Sequence, residues 1–369
     1  MTAGKSSNDD RQIPTPALML NAFAVRQNIR HLADYATTAG LKTRPHTKTH
    51  KLRQLARMQL EAGAIGLTAA KVSEAEVISD PHQDVLLAYP PLGQFRAERV
   101  AVLARDRIVR AALDSMAAVE MISAAAQQMN TTVGLLVDID VGMGRTGVQS
   151  PEEALKLAQA IDRAPNVRLD GIMVYPGHVW ELPSEQLASL RAISGLLDET
   201  LALWREHGLE AAIVSGGSTP TAFQSHHIPQ LTEIRPGSYV FNDMNTVRGG
   251  FCELDDCAAR VVATVISTAI PGQVVIDAGS KSLTRDPGPT PESGYGHVVE
   301  YPDATITRLS EEHAQINVAN CREKPSIGER ITVIPNHICP CVNLHDSVWW
   351  IEEGEPPCQL EVAARGRVQ

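Results

Sequence analysis

From residue 16 to about residue 240 the chain alternates short apolar runs with amphipathic stretches, and this period constrains the fold more than any other feature. The apolar runs are ALML (17–20), LKTRPH (41–46), IGLTAA (65–70), DVLLAY (84–89), IVRAAL (108–113), GLLVDID (134–140), GIMVY (171–175), AAIVSG (211–216) and LTEIR (231–235). Helical spacing occupies 22–38, 51–62, 72–79, 94–104, 114–128, 151–163 and 184–207. The stretch 151–163 has a clear start, with Ser150 as cap, Pro151 in the first turn and acids following. Eight or so strand–helix units in this length predict an α/β fold, a (β/α)8 TIM barrel. The rival, a doubly wound open sheet, would usually offer GxGxxG after its first strand, and none stands there. Beyond residue 250 the helical period fades. ARVVATVIST (259–268), QVVIDAG (273–279), HAQINVA (313–319) and RITVIP (330–335) predict a mostly β domain. We therefore expect a barrel over 14–249 and a β-rich domain over 250–369, with residues 1–13 packing on the latter.

Composition narrows the function classes. Hydrophobic residues make up 43% of the 369 and charged residues 21%, which excludes a mainly disordered chain. Aromatics are only 4%, so the core rests on Ala, Val, Leu and Ile. A net charge of −10 argues against a general nucleic-acid binder, though a local pocket can still be basic. No apolar run is long enough to span a bilayer, and MTAGKSSNDDRQ lacks the order of a secretory signal. The expected setting is the cytoplasm, with reduced thiols. All six cysteines lie at or beyond position 252, so metal ligation or plain burial is expected for them rather than a disulfide framework.

The motifs that carry chemistry sit at predicted strand ends. RPHTKTHK (44–51) crowds cations and imidazoles there; a lysine among other cations can have its amine made nucleophilic, and both Lys48 and Lys51 qualify. The plain alternative is a solvated basic turn. VSGGSTPT (214–221) is a Gly/Ser/Thr turn after an apolar strand, either a structural turn or a phosphate cup. An aldehyde-trapping lysine and a phosphate cup together describe a site for pyridoxal 5′-phosphate (PLP). VDIDVGMGRTGV (137–148) sets Arg145 beyond a buried strand, to pair with Asp138 or Asp140 or to face a ligand anion. VYPGHVW adds Tyr175 and His178, and EIRPGSYVFND adds Arg235 and Tyr239.

In PNHICPCVNLHD (335–346), an extended stretch would put His337 and Cys339 on one face, a pairing that suits Zn2+. Cys341 would share that face as a third ligand, with His345 and Asp346 as further candidates. Two ligands alone do not make a structural zinc site, and cysteines are often simply buried. DAGSKSLTRD (277–286), with Lys281 and Asp286, reads as a loop-shaping turn.

RPHTKTHK, GMGRTGV, VYPGH, SGGSTPT, EIRPGSYVFND, DAGSKSLTRD, PDATITRLSEEH and PNHICPCVNLHD occur in the order found in the D-threonine aldolase and D-serine dehydratase family, which the chain resembles over about 14–350. The resemblance implies a barrel of the alanine-racemase type, PLP as cofactor, a divalent metal, a D-3-hydroxy amino acid as substrate and a homodimer. By resemblance Lys48 binds the cofactor aldehyde. Arg145 faces its phenolic oxygen, and Tyr175 lines the pocket. Gly217, Ser218 and Thr219 hold the phosphate. Arg235 approaches the pyridine nitrogen, with Tyr239 as the alternative there. His337 and Cys339 match the dehydratases' metal pair, whereas the aldolases typically carry His-x-Asp. Cys339 thus leans toward Zn2+, ahead of Mn2+ or Mg2+, and toward elimination of water from D-serine or D-threo-3-hydroxyaspartate. The alternative is retro-aldol cleavage, with His178 or a bound water as base. A racemase or a PLP carrier without turnover would have no use for the metal pair.

Overall fold

The computed structural model describes residues 13–369, and among these the chain forms two compact units. One comprises 29–48, 52–237 and 366–369; the other comprises 13–28, 49–51 and 238–365. The strands are β1 (Ala17–Asn21), β2 (Lys42–Thr43), β3 (Leu67–Ala69), β4 (Asp84–Leu87), β5 (Ile108–Leu113), β6 (Val133–Ile139), β7 (Val167–Val174), β8 (Ile213–Gly216), β9 (Glu233–Ile234), β10 (Ala259–Ser267), β11 (Gln273–Ile276), β12 (His297–Val298), β13 (Thr305–Leu309), β14 (Ala314–Asn317), β15 (Arg330–Ile334), β16 (Ser347–Ile351) and β17 (Cys358–Glu361).

Strands β2 to β9 make one sheet in the order β2-β9-β8-β7-β6-β5-β4-β3, with every neighbouring pair parallel. A parallel bridge between His46 and Thr68 joins the two ends, with Thr47 N donating to Thr68 O at 2.8 Å and Thr68 N to Pro45 O at 2.9 Å. The sheet is therefore closed, and the expected (β/α)8 barrel is present. The helix Pro151–Arg163 begins as its sequence predicts: Ser150 Oγ accepts from Glu153 N, and Ala154, Leu155, Leu157, Ala158 and Ile161 form the buried stripe.

The second unit holds a sheet in the order β13-β14-β11-β10-β1-β16-β17, with β15 pairing β10 and β12. ALML, read above as a barrel strand, belongs here instead: β1 pairs antiparallel with β10 and parallel with β16. Its apolar run says that it is buried but not against which sheet. Ile13 packs with Ala17 and Val262, while residues 1–12, also expected to pack here, lie outside the described residues. The units part at residues 237 and 238 rather than at 249 and 250, because the segment after β9 bonds to the turn that follows β15. Met244 N donates to Pro335 O, and Asn245 N to Asn336 O, both at 3.1 Å.

Side chains inside the barrel stack in layers, since alternate residues of a strand face the same way. Leu86, Ala112, Leu136 and Met173 form an apolar layer, with Ala88 and Ile213 against it. Two residues earlier along β4, β5 and β6 stand Asp84, Arg110 and Gly134. Here the interior is ionic. Arg44, 1% exposed, donates through Nε to both Glu233 oxygens at 2.9 and 3.0 Å and through Nη1 to Asp84 at 2.5 Å. Arg110 bonds Asp84 and, at 2.6 Å, Asp170. Gly134 stays bare because a Cβ there would lie 2.1 Å from Asp170 Oδ2.

Arg44→Ala leaves the buried Glu233 without its arginine, though still bonded to the Ser215 hydroxyl, and should cost about 3–5 kcal/mol. The exposed pair Arg57–Asp80, at 3.5 Å, is the control, and Arg57→Ala should cost under about 1 kcal/mol. Urea unfolding of both variants checks this; equal losses would show the buried network to be dispensable.

Candidate active site

Five of the barrel's strand ends, those of β2, β6, β7, β8 and β9, carry the sequence candidates, as expected where barrel sites form. Lys48 follows β2. His46 and Thr47 brace it: Thr47 Oγ1 donates to Glu74 at 2.7 Å, and Lys48 N to His46 Nδ1 at 3.4 Å. The half-buried Lys48 amine lies 5.9 Å from the Tyr175 ring centroid. Lys51 behaves differently. It is buried in the other unit with φ +56°, and its Nζ donates to Ala364 O at 3.3 Å. A committed amine is a poor nucleophile, so the two lysines that the sequence left level are separated by their surroundings.

Tyr175 directly follows β7, and the Arg145 guanidinium sits over its ring at 4.8 Å. Arg145 pairs with neither acid that its motif offered. Asp140 accepts instead from the amides of Gly142, Met143 and Gly144 at 3.1, 2.9 and 3.0 Å, which against slight burial holds its carboxyl below the usual range. Gly147 closes this loop at φ +111°, where a Cβ would stand 2.4 Å from Asp140 N. His178 is exposed, and its Nε2 lies 2.9 Å from where a Gly142 Cβ would be.

The turn after β8 is buried. Ser218 N donates to Thr221 Oγ1 at 3.0 Å, and Thr221 N to Ser218 Oγ at 3.3 Å. Gly217, at φ +80°, brings its backbone within a Cβ's reach of Ile234, and Thr219 is 8% exposed. Arg235, at the end of β9, is 4% exposed. Its Nε donates to Ser215 Oγ at 2.7 Å and its Nη2 to Val174 O at 2.6 Å. Burial lowers its pKa. Asp138 on β6 is 2% exposed and accepts from Thr146 Oγ1 at 2.8 Å. Burial, opposed by that bond and by Arg235, pushes it up to about 6. The sequence offered Asp138 only as a partner for Arg145. Its place in a wholly apolar run was the available signal. One unit thus brings together Lys48, Arg145, Tyr175, His178, Gly217, Ser218, Thr219 and Arg235. Tyr239, 4% exposed, belongs to the other.

His337 and Cys339 also lie in that second unit, but not on an extended stretch. Ile338–Leu344 is a helix with His337 as its extended cap residue. Cys341 is therefore not on a shared strand face. It donates to Ser282 O at 3.1 Å, and burial pushes its thiol up. His345 Nε2 bonds the same carbonyl at 3.0 Å, and Asp346 pairs with Arg365 at 2.6 Å. These three candidates are engaged elsewhere. Cys339 Sγ lies 3.2 Å from Thr49 Oγ1. Burial pulls the His337 imidazole down, but Cys339 and the carboxylates of Asp243 and Asp286 outweigh it and hold the group at about 9. Among the described residues no group of three or more His, Cys, Asp or Glu stands ready to hold a metal. Two ligands with open positions fit a catalytic ion better than a structural one. The residues around Lys48 fit PLP: an amine, a cation over an aromatic ring, a Gly/Ser/Thr turn after the seventh barrel strand, and a buried arginine.

Residues 20–245 match the family model described as "Alanine racemase, N-terminal domain", and 258–351 the one described as "Putative serine dehydratase domain". The chain is 30% identical to a D-threonine aldolase of Arthrobacter sp, over 96% of this chain and 93% of that one. It is 31% identical to the D-threo-3-hydroxyaspartate dehydratase of Delftia sp. (strain HT23), over 89% and 91%. The solved structure of D-threonine aldolase from Filomicrobium marinum is similar with a TM-score of 0.89, at 31% identity and 97% coverage of each chain. The chain belongs to the D-threonine aldolase and D-serine dehydratase family, PLP-dependent lyases built on the alanine-racemase-like fold.

Proposed function

We propose that the chain is a PLP- and zinc-dependent dehydratase of D-3-hydroxy amino acids, yielding a 2-oxo acid and ammonia. Substrates of the D-serine and D-threo-3-hydroxyaspartate kind fit this reading. One observation carries the cofactor part: the Lys48 amine 5.9 Å from the Tyr175 ring that Arg145 covers at 4.8 Å. One residue type carries the dehydratase part, a cysteine at position 339 beside His337.

PLP bound here supplies an electron sink when a bond at the amino acid Cα breaks. Lys48 would hold the cofactor through its amine and is the base available for the α-proton. Arg145 and Tyr175 would line the ring of the cofactor, the turn 217–219 would hold its phosphate, and Arg235 would supply a buried cation to the pocket. His337 and Cys339 would hold the metal, whose Lewis acidity would suit a β-hydroxyl that is otherwise a poor leaving group. A thiolate ligand favours zinc over manganese or magnesium. A second reading, retro-aldol cleavage to glycine and an aldehyde, is favoured by the exposed His178 imidazole beside Gly142, a base without a use in dehydration.

Metal-stripped holoenzyme given D-threonine, with and without Zn2+ or Mn2+, separates the two. Zinc-dependent 2-oxobutanoate with ammonia supports the dehydratase; glycine with acetaldehyde overturns it in favour of the aldolase. Lys48→Ala should remove the yellow colour of the lysine-linked cofactor and lower turnover by about 100- to 10,000-fold, whereas Lys51→Ala should keep the colour. The reverse pattern of absorbance refutes the assignment. Cys339→Ala should lose zinc and turnover but stay yellow. Full activity in that variant rules out Cys339 as a ligand.

A further inference from the structure

The motif DAGSKSLTRD ends on an acid that the reading above leaves without a role. Asp286 Oδ2 lies 2.8 Å from Nδ1 of His337. A carboxylate only accepts hydrogen bonds, so the ring nitrogen facing it carries a proton. When the ring is neutral, Nε2 is left with the lone pair.

The surroundings hold this arrangement from several sides. Asn336, 1% exposed, donates through Nδ2 to the Asp286 carbonyl at 3.0 Å and to the Gly294 carbonyl at 2.9 Å. Its Oδ1 accepts from Arg248 Nη1 at 2.7 Å. On the other side of His337, Ile338 N donates to Asp243 Oδ2 at 3.0 Å, and the same carboxylate caps the helix Met244–Arg248 through Thr246 N at 3.0 Å. Of the two chain neighbours of His337, Asn336 is anchored through its own buried side chain and Ile338 through the buried Asp243 carboxylate, and the ring is tied to Asp286. The acid stands at the nitrogen opposite the one left for a metal, which makes it a partner of the ligand and not a ligand itself.

We propose that Asp286 is the positioning residue of the metal site, fixing the orientation and tautomer of His337 so that Nε2 presents its lone pair. The proposal rests on reading His337 and Cys339 as the metal pair. A carboxylate behind a ligating imidazole typically sets metal affinity by 10- to 100-fold. The loop role that the sequence suggested would instead leave metal affinity unchanged.

The test uses holoenzyme stripped of metal but retaining PLP, with Zn2+ titrated against a chromophoric chelator. Wild type should bind zinc and His337→Ala should not. Asp286→Ala should bind about 10- to 100-fold more weakly, with unfolding temperature and yellow colour kept. Asp286→Asn, which still offers an oxygen to Nδ1, should fall between Asp286→Ala and wild type. In the Co2+-loaded enzyme the visible ligand-field bands should shift in Asp286→Ala. Wild-type affinity in Asp286→Ala overturns the proposal, and so does a loss as complete as that of His337→Ala, which would make Asp286 a direct ligand. A wild type that binds no zinc, or a His337→Ala that binds normally, overturns the metal reading and this proposal with it. That pattern is distinct from equal binding by wild type and Asp286→Ala alone.

Discussion

The barrel ring is thinnest at β2, and one arginine spans both of its joins. β2 meets β9 through a two-residue ladder and closes onto β3 through the single His46–Thr68 bridge, so few backbone hydrogen bonds hold the ring shut there. Arg44 adds what the ladder lacks. Its amide donates to Ile234 O at 2.9 Å, its carbonyl accepts from Thr68 Oγ1 at 2.7 Å, and its side chain reaches Glu233 and Asp84. It therefore engages the last barrel strand, the second and the third at once. A buried charge network is not in itself a source of stability, since desolvation offsets most of the attraction. Its value is specificity: the ions fit only when these strands stand in this register. Lys48 lies four residues further along the same segment, so its place in the barrel is inherited from the way Arg44 is gripped.

Above the ionic end, the apolar layer of Leu86, Ala112, Leu136 and Met173 separates two polar regions that would otherwise compete for counterions. The network below is internally neutralised. The region above is less so: the buried Arg235 donates to neutral acceptors, the Ser215 hydroxyl and the Val174 and Ser215 carbonyls, and Asp138 is pushed up to about 6 by burial. Asp140, one of the two acids in the Arg145 motif, accepts from three backbone amides. Cationic groups are thereby left for an anionic, aromatic ligand, in a protein whose net charge is −10. Under the proposed reading, the phosphate and phenolic oxygen of the cofactor are what those cations meet.

Much of this was legible in the sequence because strand periodicity and strand-end chemistry are local properties. IVRAAL became β5 without change, and the helices 22–38 and 151–163 have the bounds that their spacing predicts. What failed was non-local. ALML is equally apolar in either sheet, and only its pairing with β10 and β16 shows where it lies. The stretch after His337 was read as extended because two cysteines and a proline suppress helical signal. A proline in the first turn is compatible with a helix, and Pro340 stands there. Once that stretch is helical, Cys341 and His345 turn to the Ser282 carbonyl and leave the ligand set. Asp286 was invisible as a partner of His337 because 51 residues separate them.

The distinction between dehydration and aldol cleavage then narrows to very little of the chain. Under the proposed reading both reactions use the same lysine, the same grip on the cofactor and the same ion on a β-hydroxyl. They diverge in whether the C–O bond breaks after loss of the α-proton or the Cα–Cβ bond breaks after loss of the hydroxyl proton. A softer thiolate at position 339 biases the ion identity, while an exposed imidazole at 178 offers a proton acceptor. These two residues pull in opposite directions. The cysteine decides only if the ion it selects activates C–O departure faster than His178 can take a proton. The competition is between two rates on one bound substrate, so a family with one scaffold can hold both activities, as the aldolase and dehydratase relatives, each about 30% identical to this chain, do.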